Sequence, residues 1–178
     1  MNAQALFPYK TFSIALYRDT KNLTLTFLQN SFSTLMTQEL ESFFLWLSQR
    51  IEIHSVTMQA GSNAFPSFWN EEEWSQLSDQ EITAQTEKIQ KLTQTMTILP
   101  HLFIMDLKNG VSSFGLEFSL GADFRTCSIE AKISFDHLSQ GLIPSCGGLS
   151  LLPRLVGTSF AKKWIFSEEA PEADELLH

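Results

Sequence analysis

A chain of 178 residues, 43% hydrophobic and 12% aromatic, holds enough apolar surface for one folded domain that needs no disulfide or metal staple. A net charge of −8, with no basic cluster longer than Lys162-Lys163, excludes a phosphate-backbone ligand and disfavours an anionic membrane surface, so neither nucleic acid nor membrane is an expected partner. Cys127 and Cys146 stand outside any CxxC, and His54, His101, His137 and His178 outside any HxxH or HExxH pattern, so no metal site is expected.

Met1 to Lys10 lack the apolar stretch and small-residue cleavage site of a secretory signal, and Pro100 and His101 interrupt the nearly apolar run from Ile98 to Met105. The expected location is therefore the cytoplasm. Thr11 to Arg18 alternates with Phe12, Ile14 and Leu16 on one face, and Leu23, Leu25 and Phe27 repeat that period of two. With Asp19 to Asn22 as the turn, this predicts a hairpin. Ser33 can cap a helix whose stripe is Met36, Leu40, Phe43, Phe44 and Leu47, at the three- and four-residue spacings of one buried face. Ser55 to Gln59 reads as a short strand.

From Gly61 to Leu77 runs a polar, aromatic segment with Pro66, Phe68, Trp69, Trp74 and Glu71-Glu72-Glu73, whose composition suits a mobile cover. Ser78 and Glu81 form a capping box, and Ile82, Ile89, Leu92, Met96 and Leu99 mark one face of a helix of about 20 residues that Pro100 ends. Leu102 to Leu107 predicts a strand buried on both faces, and Asn109-Gly110 a turn. Strands alternating with helices indicate an α/β domain in which helices cover a sheet. The acidic segment from Ser167 to His178, with Pro171 and few core candidates, reads as a tail separate from a domain over residues 1–166.

From Pro100 onward the order of features is more specific. Asn109-Gly110 is followed by the small-residue segment Val111-Ser112-Ser113-Phe114-Gly115, then Leu116-Glu117 and Gly121-Ala122-Asp123-Phe124-Arg125. Gly141-Leu142-Ile143-Pro144-Ser145-Cys146-Gly147-Gly148 and Leu152-Pro153-Arg154-Leu155-Val156-Gly157 come later. This order resembles the enoyl-CoA hydratase/isomerase (crotonase) superfamily over residues 11–166, closely in the second half and thinly in the first. The resemblance implies a crotonase-like (ClpP/crotonase) ββα superhelix, here without the family's C-terminal helical segment. It also implies an oligomer, a trimer by family habit, or a partner chain that supplies what is missing.

The chemistry implied is stabilisation of a thioester enolate by two backbone N–H groups, which by position are those of Ser67 and Phe114. Losing one such donor typically costs roughly 3 to 4 kcal/mol of transition-state stabilisation. Coenzyme A enters as part of an acyl-CoA or acyl-carrier thioester substrate or ligand, not as a resident cofactor. Near the first hairpin, Arg18 and Lys21 are the cations available to its phosphates. Phe65, Phe68, Trp69, Gly115, Pro144 and Gly147 are the expected pocket residues.

Where the family's hydratases carry two glutamates, this chain has Glu117 and His137, so an imidazole replaces one carboxylate. The pair can transfer protons near neutral pH, or it can form an ion pair or hydrogen bond. Asp136 is the alternative second acid, and Glu117 the alternative of a helix-start carboxylate satisfied by backbone amides. Asp123 and Arg125 read as a structural pair. Phe114, Phe68 and Trp69 add bulk where the family has glycine or small residues. Two readings follow: an enzyme that hydrates or isomerises an enoyl thioester through Glu117 and His137, or a non-catalytic relative that binds an acyl thioester or a protein partner.

Overall fold

A computed structural model describes residues 4–5, 8–61 and 64–167. The period-two runs pair as expected: β2 (Phe12–Tyr17) and β3 (Asn22–Phe27) form an antiparallel hairpin, with β1 (Gln4–Ala5) on the outer edge of β2. Lys21 takes a left-handed φ of 56° in the turn. Leu23, Leu25 and Phe27 point inward and are buried, which fixes the register because a one-residue slip would turn them all to solvent.

β3 then pairs in parallel with β5 (Ser55–Ala60), β5 with β7 (Leu102–Asp106), and β7 with β9 (Phe124–Thr126). The sheet is six-stranded in the order β1-β2-β3-β5-β7-β9. Each parallel crossover needs a connection of helical length. Helix α1 (Thr34–Ser48), α3 (Asp79–Ile98) and α4 (Ser113–Ser119) supply them. Ser33 caps α1 by accepting from the Met36 amide at 3.1 Å, and Met36, Leu40, Phe43, Phe44 and Leu47 form its buried stripe. Ser78 and Glu81 form the capping box at the start of α3.

The core is rich in phenylalanine. Phe12 meets Phe27 and Phe43 edge to face at centroid distances of 6.3 and 6.1 Å, and Phe27 meets Phe65 at 5.1 Å, the geometry that the ring quadrupole favours. Strand β7 departs from expectation. Phe103 and Met105 are buried, Ile104 and Asp106 are half-buried and Leu102 is exposed, so the strand buries one face rather than two, its side chains alternating across the sheet.

The segment expected as a mobile cover is ordered instead. Ser31–Phe32 (β4) pairs in parallel with Phe68–Trp69 (β6), and Glu71–Trp74 forms a short helix, α2, capped by Asn70. Burial of Trp69 and the Asn70 cap hold what composition alone reads as loop; residues 62–63 of it lie outside the described residues. Beyond β9, Ile133–Ser134 (β10) pairs with Val111–Ser112 (β8), followed by α5 (Gly148–Val156) and α6 (Thr158–Ser167). Of the expected tail, Ser167 closes α6 and residues 168–178 lie outside the described residues. Among the described residues no helix is long and apolar enough to cross a membrane.

Candidate functional site

Glu117 sits in the fifth position of α4 and is fully buried. Such a carboxylate must find donors in the protein, and it finds them across the fold. Its Oε2 accepts from the amides of Cys146 and Gly148, both at 2.7 Å, and its Oε1 from the amide of Ser145 at 3.2 Å. These donors belong to the turn that opens α5, where free N–H groups and the positive helix end favour an acidic group. Gly147 in that turn has φ 125°, a conformation few side chains tolerate. A Cβ on Gly148 would lie 2.9 Å from Oε2 of Glu117.

The fourth contact is His137, whose Nε2 lies 2.8 Å from Glu117 Oε1, with both side chains sealed from water. Amide N–H groups only donate, so the carboxylate accepts three hydrogen bonds from the backbone, and the His137 contact is the fourth on its two oxygens. The imidazole is clamped between rings, stacked on Phe135 at 5.9 Å and edge-on to Phe114 at 5.4 Å. Its Nδ1 is buried without a hydrogen-bond partner. Asp136 is half-buried, and its backbone carbonyl accepts from the Ser139 hydroxyl at 2.9 Å; the partner of Glu117 is His137.

Ser67 and Phe114 do not form the expected pair of free donors. The Ser67 amide already donates to the Asn30 carbonyl, at 3.3 Å, as part of the connection beside β4 and β6. Its carbonyl takes the Gly115 amide at 3.1 Å, and its hydroxyl takes the Ser112 amide at 3.0 Å. The two turns are thus tied to each other through Ser67. Phe114 occupies the second position of α4, where the helix itself supplies no acceptor. Ser113 before it holds a left-handed φ of 48°, and its buried hydroxyl has no partner.

The expected pocket residues do not share one cavity. Phe68, Trp69 and Phe114 line a pocket of about 550 Å³. Pro144 and Gly147 line a separate one of about 590 Å³ beside α3, and Phe65, almost wholly buried, borders a third at the ends of β5 and β7. Gly115 lines none of these three. It lies so close to the Pro66 carbonyl that an added Cβ would come within 1.9 Å of its oxygen. Phe114 stands between the first pocket and His137, lining the one and touching the other.

The enoyl-CoA hydratase/isomerase family model matches residues 23–178. The chain belongs to this family. A fatty acid oxidation complex subunit alpha from Pseudomonas aeruginosa is 28% identical over 151 residues, which is 83% of this chain and 21% of the relative. The chain thus spans about a fifth of the length of the curated relatives it matches. Crystal structures of enoyl-CoA hydratases superpose closely: that from Geobacillus kaustophilus with a TM-score of 0.90 at 19% identity, over 99% of this chain and 67% of that one. That from Bacillus anthracis gives 0.86 at 22% identity, over 93% and 66%. The fold is therefore crotonase-like, as the order of motifs implied.

Against that family pattern, one site feature was not read from the sequence and one expectation is corrected. The first is the set of amides at Ser145, Cys146 and Gly148; the Gly147-Gly148 pair signals a tight turn, but only the fold shows that the turn faces Glu117. The second is Arg125, which does not pair with Asp123 at salt-bridge distance. Its guanidinium donates to the carbonyls of Ser119 and Ala122, both at 2.9 Å, and Asp123 accepts the Phe103 amide at 2.8 Å. Both are structural, each through backbone; burial draws the Arg125 pKa down while Asp123 draws it up.

Proposed function

We propose that this chain is a crotonase-family protein that binds an acyl thioester without performing the hydratase reaction. One observation carries the reading: both oxygens of Glu117 are occupied, by three backbone amides and His137. A carboxylate that holds and activates water needs a lone pair aimed at that water, and it must be within reach of it. Glu117 has neither an open lone pair nor a solvent path, because Phe114 closes the side facing the pocket. The engaged Ser67 amide points the same way, since an oxyanion hole works through donors left free until the charge develops.

Support for a thioester as ligand comes from the family itself and from the pocket beside Phe114, whose amide at the first turn of α4 is the remaining candidate for a carbonyl oxygen. The exposed apolar residues Leu149, Leu155, Phe160 and Phe166 on α5 and α6 fit association with further copies of the chain or with a partner.

Calorimetry with CoA and with short and medium acyl-CoAs, alongside a hydration assay of crotonyl-CoA at high protein concentration, tests the reading. Binding with no turnover is expected. Turnover that disappears in Glu117→Gln overturns the non-catalytic part, and absence of binding to every thioester leaves a protein-interaction scaffold. The enzyme reading keeps one observation in its favour, the unpartnered Nδ1 of His137, and the same assay decides it.

A further inference from the structure

The cavity of about 590 Å³ beside α3 is separate from the one next to Phe114. One wall comes from α3, through Gln90, Gln94 and Thr97, and the other from the turn before α5 and from α5 itself. Residues 88–105 and 137–167, which contribute both walls, contain no Asp or Glu but carry Lys88, Lys91, Arg154, Lys162 and Lys163. In a chain of net charge −8 this is a local excess of positive charge. Arg154 is the charged group among the described lining residues, exposed on α5 one turn beyond Ser150, and it forms no ion pair among the described residues.

The apolar part of this cavity is open to solvent. Ile143 and Leu149 are 66% and 52% exposed, whereas Thr93 and Pro144 are buried beneath them. Gly147 adds no side chain to the space, where a Cβ would come 3.4 Å from a Leu151 methyl and 3.7 Å from the Thr93 methyl. The turn that forms this wall is held from both sides. The Gln90 carboxamide donates to the Ser145 carbonyl, and Glu117 accepts the amides of Ser145, Cys146 and Gly148 behind it. The cavity is therefore preformed, and its volume falls in the range of small-molecule sites.

A carboxylate takes two parallel hydrogen bonds from a guanidinium, and no acidic side chain of either wall competes for Arg154. An apolar body attached to that carboxylate gains by leaving water against Ile143 and Leu151. We infer that the groove between α3 and α5 binds a small amphipathic carboxylate, with its charged end on Arg154 and its apolar body along Ile143 and Leu151. The inference does not depend on what occupies the cavity beside Phe114.

The test is a titration of the full chain with octanoate and with octanamide, which has the same length and no charge, followed through the backbone amide resonances of Ile143 and Arg154 and the side-chain amide of Gln94. Octanoate is expected to shift these signals saturably and to bind about threefold or more tightly than octanamide, the gain of a hydrogen-bonded charge pair at a solvent-exposed position. Arg154→Gln, an exposed change, is expected to bring octanoate down to the affinity of octanamide and to leave octanamide unaffected. Ile143→Ser is expected to weaken both compounds. Equal affinity of the unaltered chain for the two, octanoate binding unchanged in Arg154→Gln, saturable shifts confined to the indole signals of Trp69 and Trp74, or no saturable shift at all overturns the inference.

Discussion

Glu117 and His137, 20 positions apart in sequence, meet at 2.8 Å inside a sealed compartment, yet most of the donors to Glu117 come from a third segment, the turn of Ser145 to Gly148. The pair is therefore one part of a larger knot of hydrogen bonds. Removing either partner is predicted to act on folding before it acts on any reaction.

Replacing Glu117 by Gln puts an amide N–H₂ where an oxygen now accepts, so at least one backbone donor or His137 loses its acceptor. The expected cost is about 2 to 4 kcal/mol in urea unfolding. His137→Ala leaves the three amide contacts in place and is expected to cost less, so the ranking of the two variants checks which group holds the knot.

Two glycines are predicted to resist enlargement for different reasons. Gly115→Ala drives a Cβ into the Pro66 carbonyl, which is backbone and cannot swing away. A loss of about 3 kcal/mol is expected. Gly148→Ala meets the carboxylate of Glu117 instead and is expected to cost about 1 to 3 kcal/mol. Thermal melts of the two variants give the order directly.

The two thiols are predicted to differ sharply. Cys127 is exposed, while Cys146 is buried, its pKa driven up by burial and further by the neighbouring Glu117. Iodoacetamide at neutral pH is expected to label Cys127 alone, with Cys146 reacting only in denaturant. Because the folded-state pKa of Cys146 lies above that of the free thiol, its contribution to stability is full below the ordinary thiol range. That contribution is expected to fall as pH rises above it.

At the start of α3 the sign is reversed. Glu81 has a lowered pKa, mainly from the Ser78 hydroxyl and then from the Ser78 amide. Its contribution is present above the ordinary carboxylate range and is lost as pH falls through the lowered value. The protection of the first-turn amides against hydrogen exchange, Ile82 included, measured relative to the intrinsic rate at each pH, is expected to fall on acidification, and Ser78→Ala is expected to remove that change.

Phe114→Ala is predicted to join the aromatic pocket to the His137 ring. Diethylpyrocarbonate, inert toward a buried imidazole, is then expected to modify His137 at Nδ1, which has no partner to displace. Labelling in the parent protein at the same rate would show that Phe114 is not the barrier.

The sequence made some of this architecture legible and hid the rest for definite reasons. The hairpin, α1 and α3 follow from local periodicity and caps, which depend on neighbours within a few residues. The approach of Glu117 to His137 followed from family spacing. What the Ser145–Gly148 turn does, and that Ser67 spends its amide on Asn30, depend on how distant segments meet, and no local pattern encodes that. The segment around Trp69 misled for the opposite reason: its composition is that of a loop, but burial of one indole and one Asn cap orders it.

The anchoring of the Ser145–Gly148 turn by one carboxylate bears on how ancestry is inferred. A side chain first selected for reactivity can be kept by natural selection long after turnover has ceased, once three amides lean on it. Its persistence among descendants then measures dependence of the scaffold on that anion, and a shared glutamate ceases to be a witness for shared chemistry.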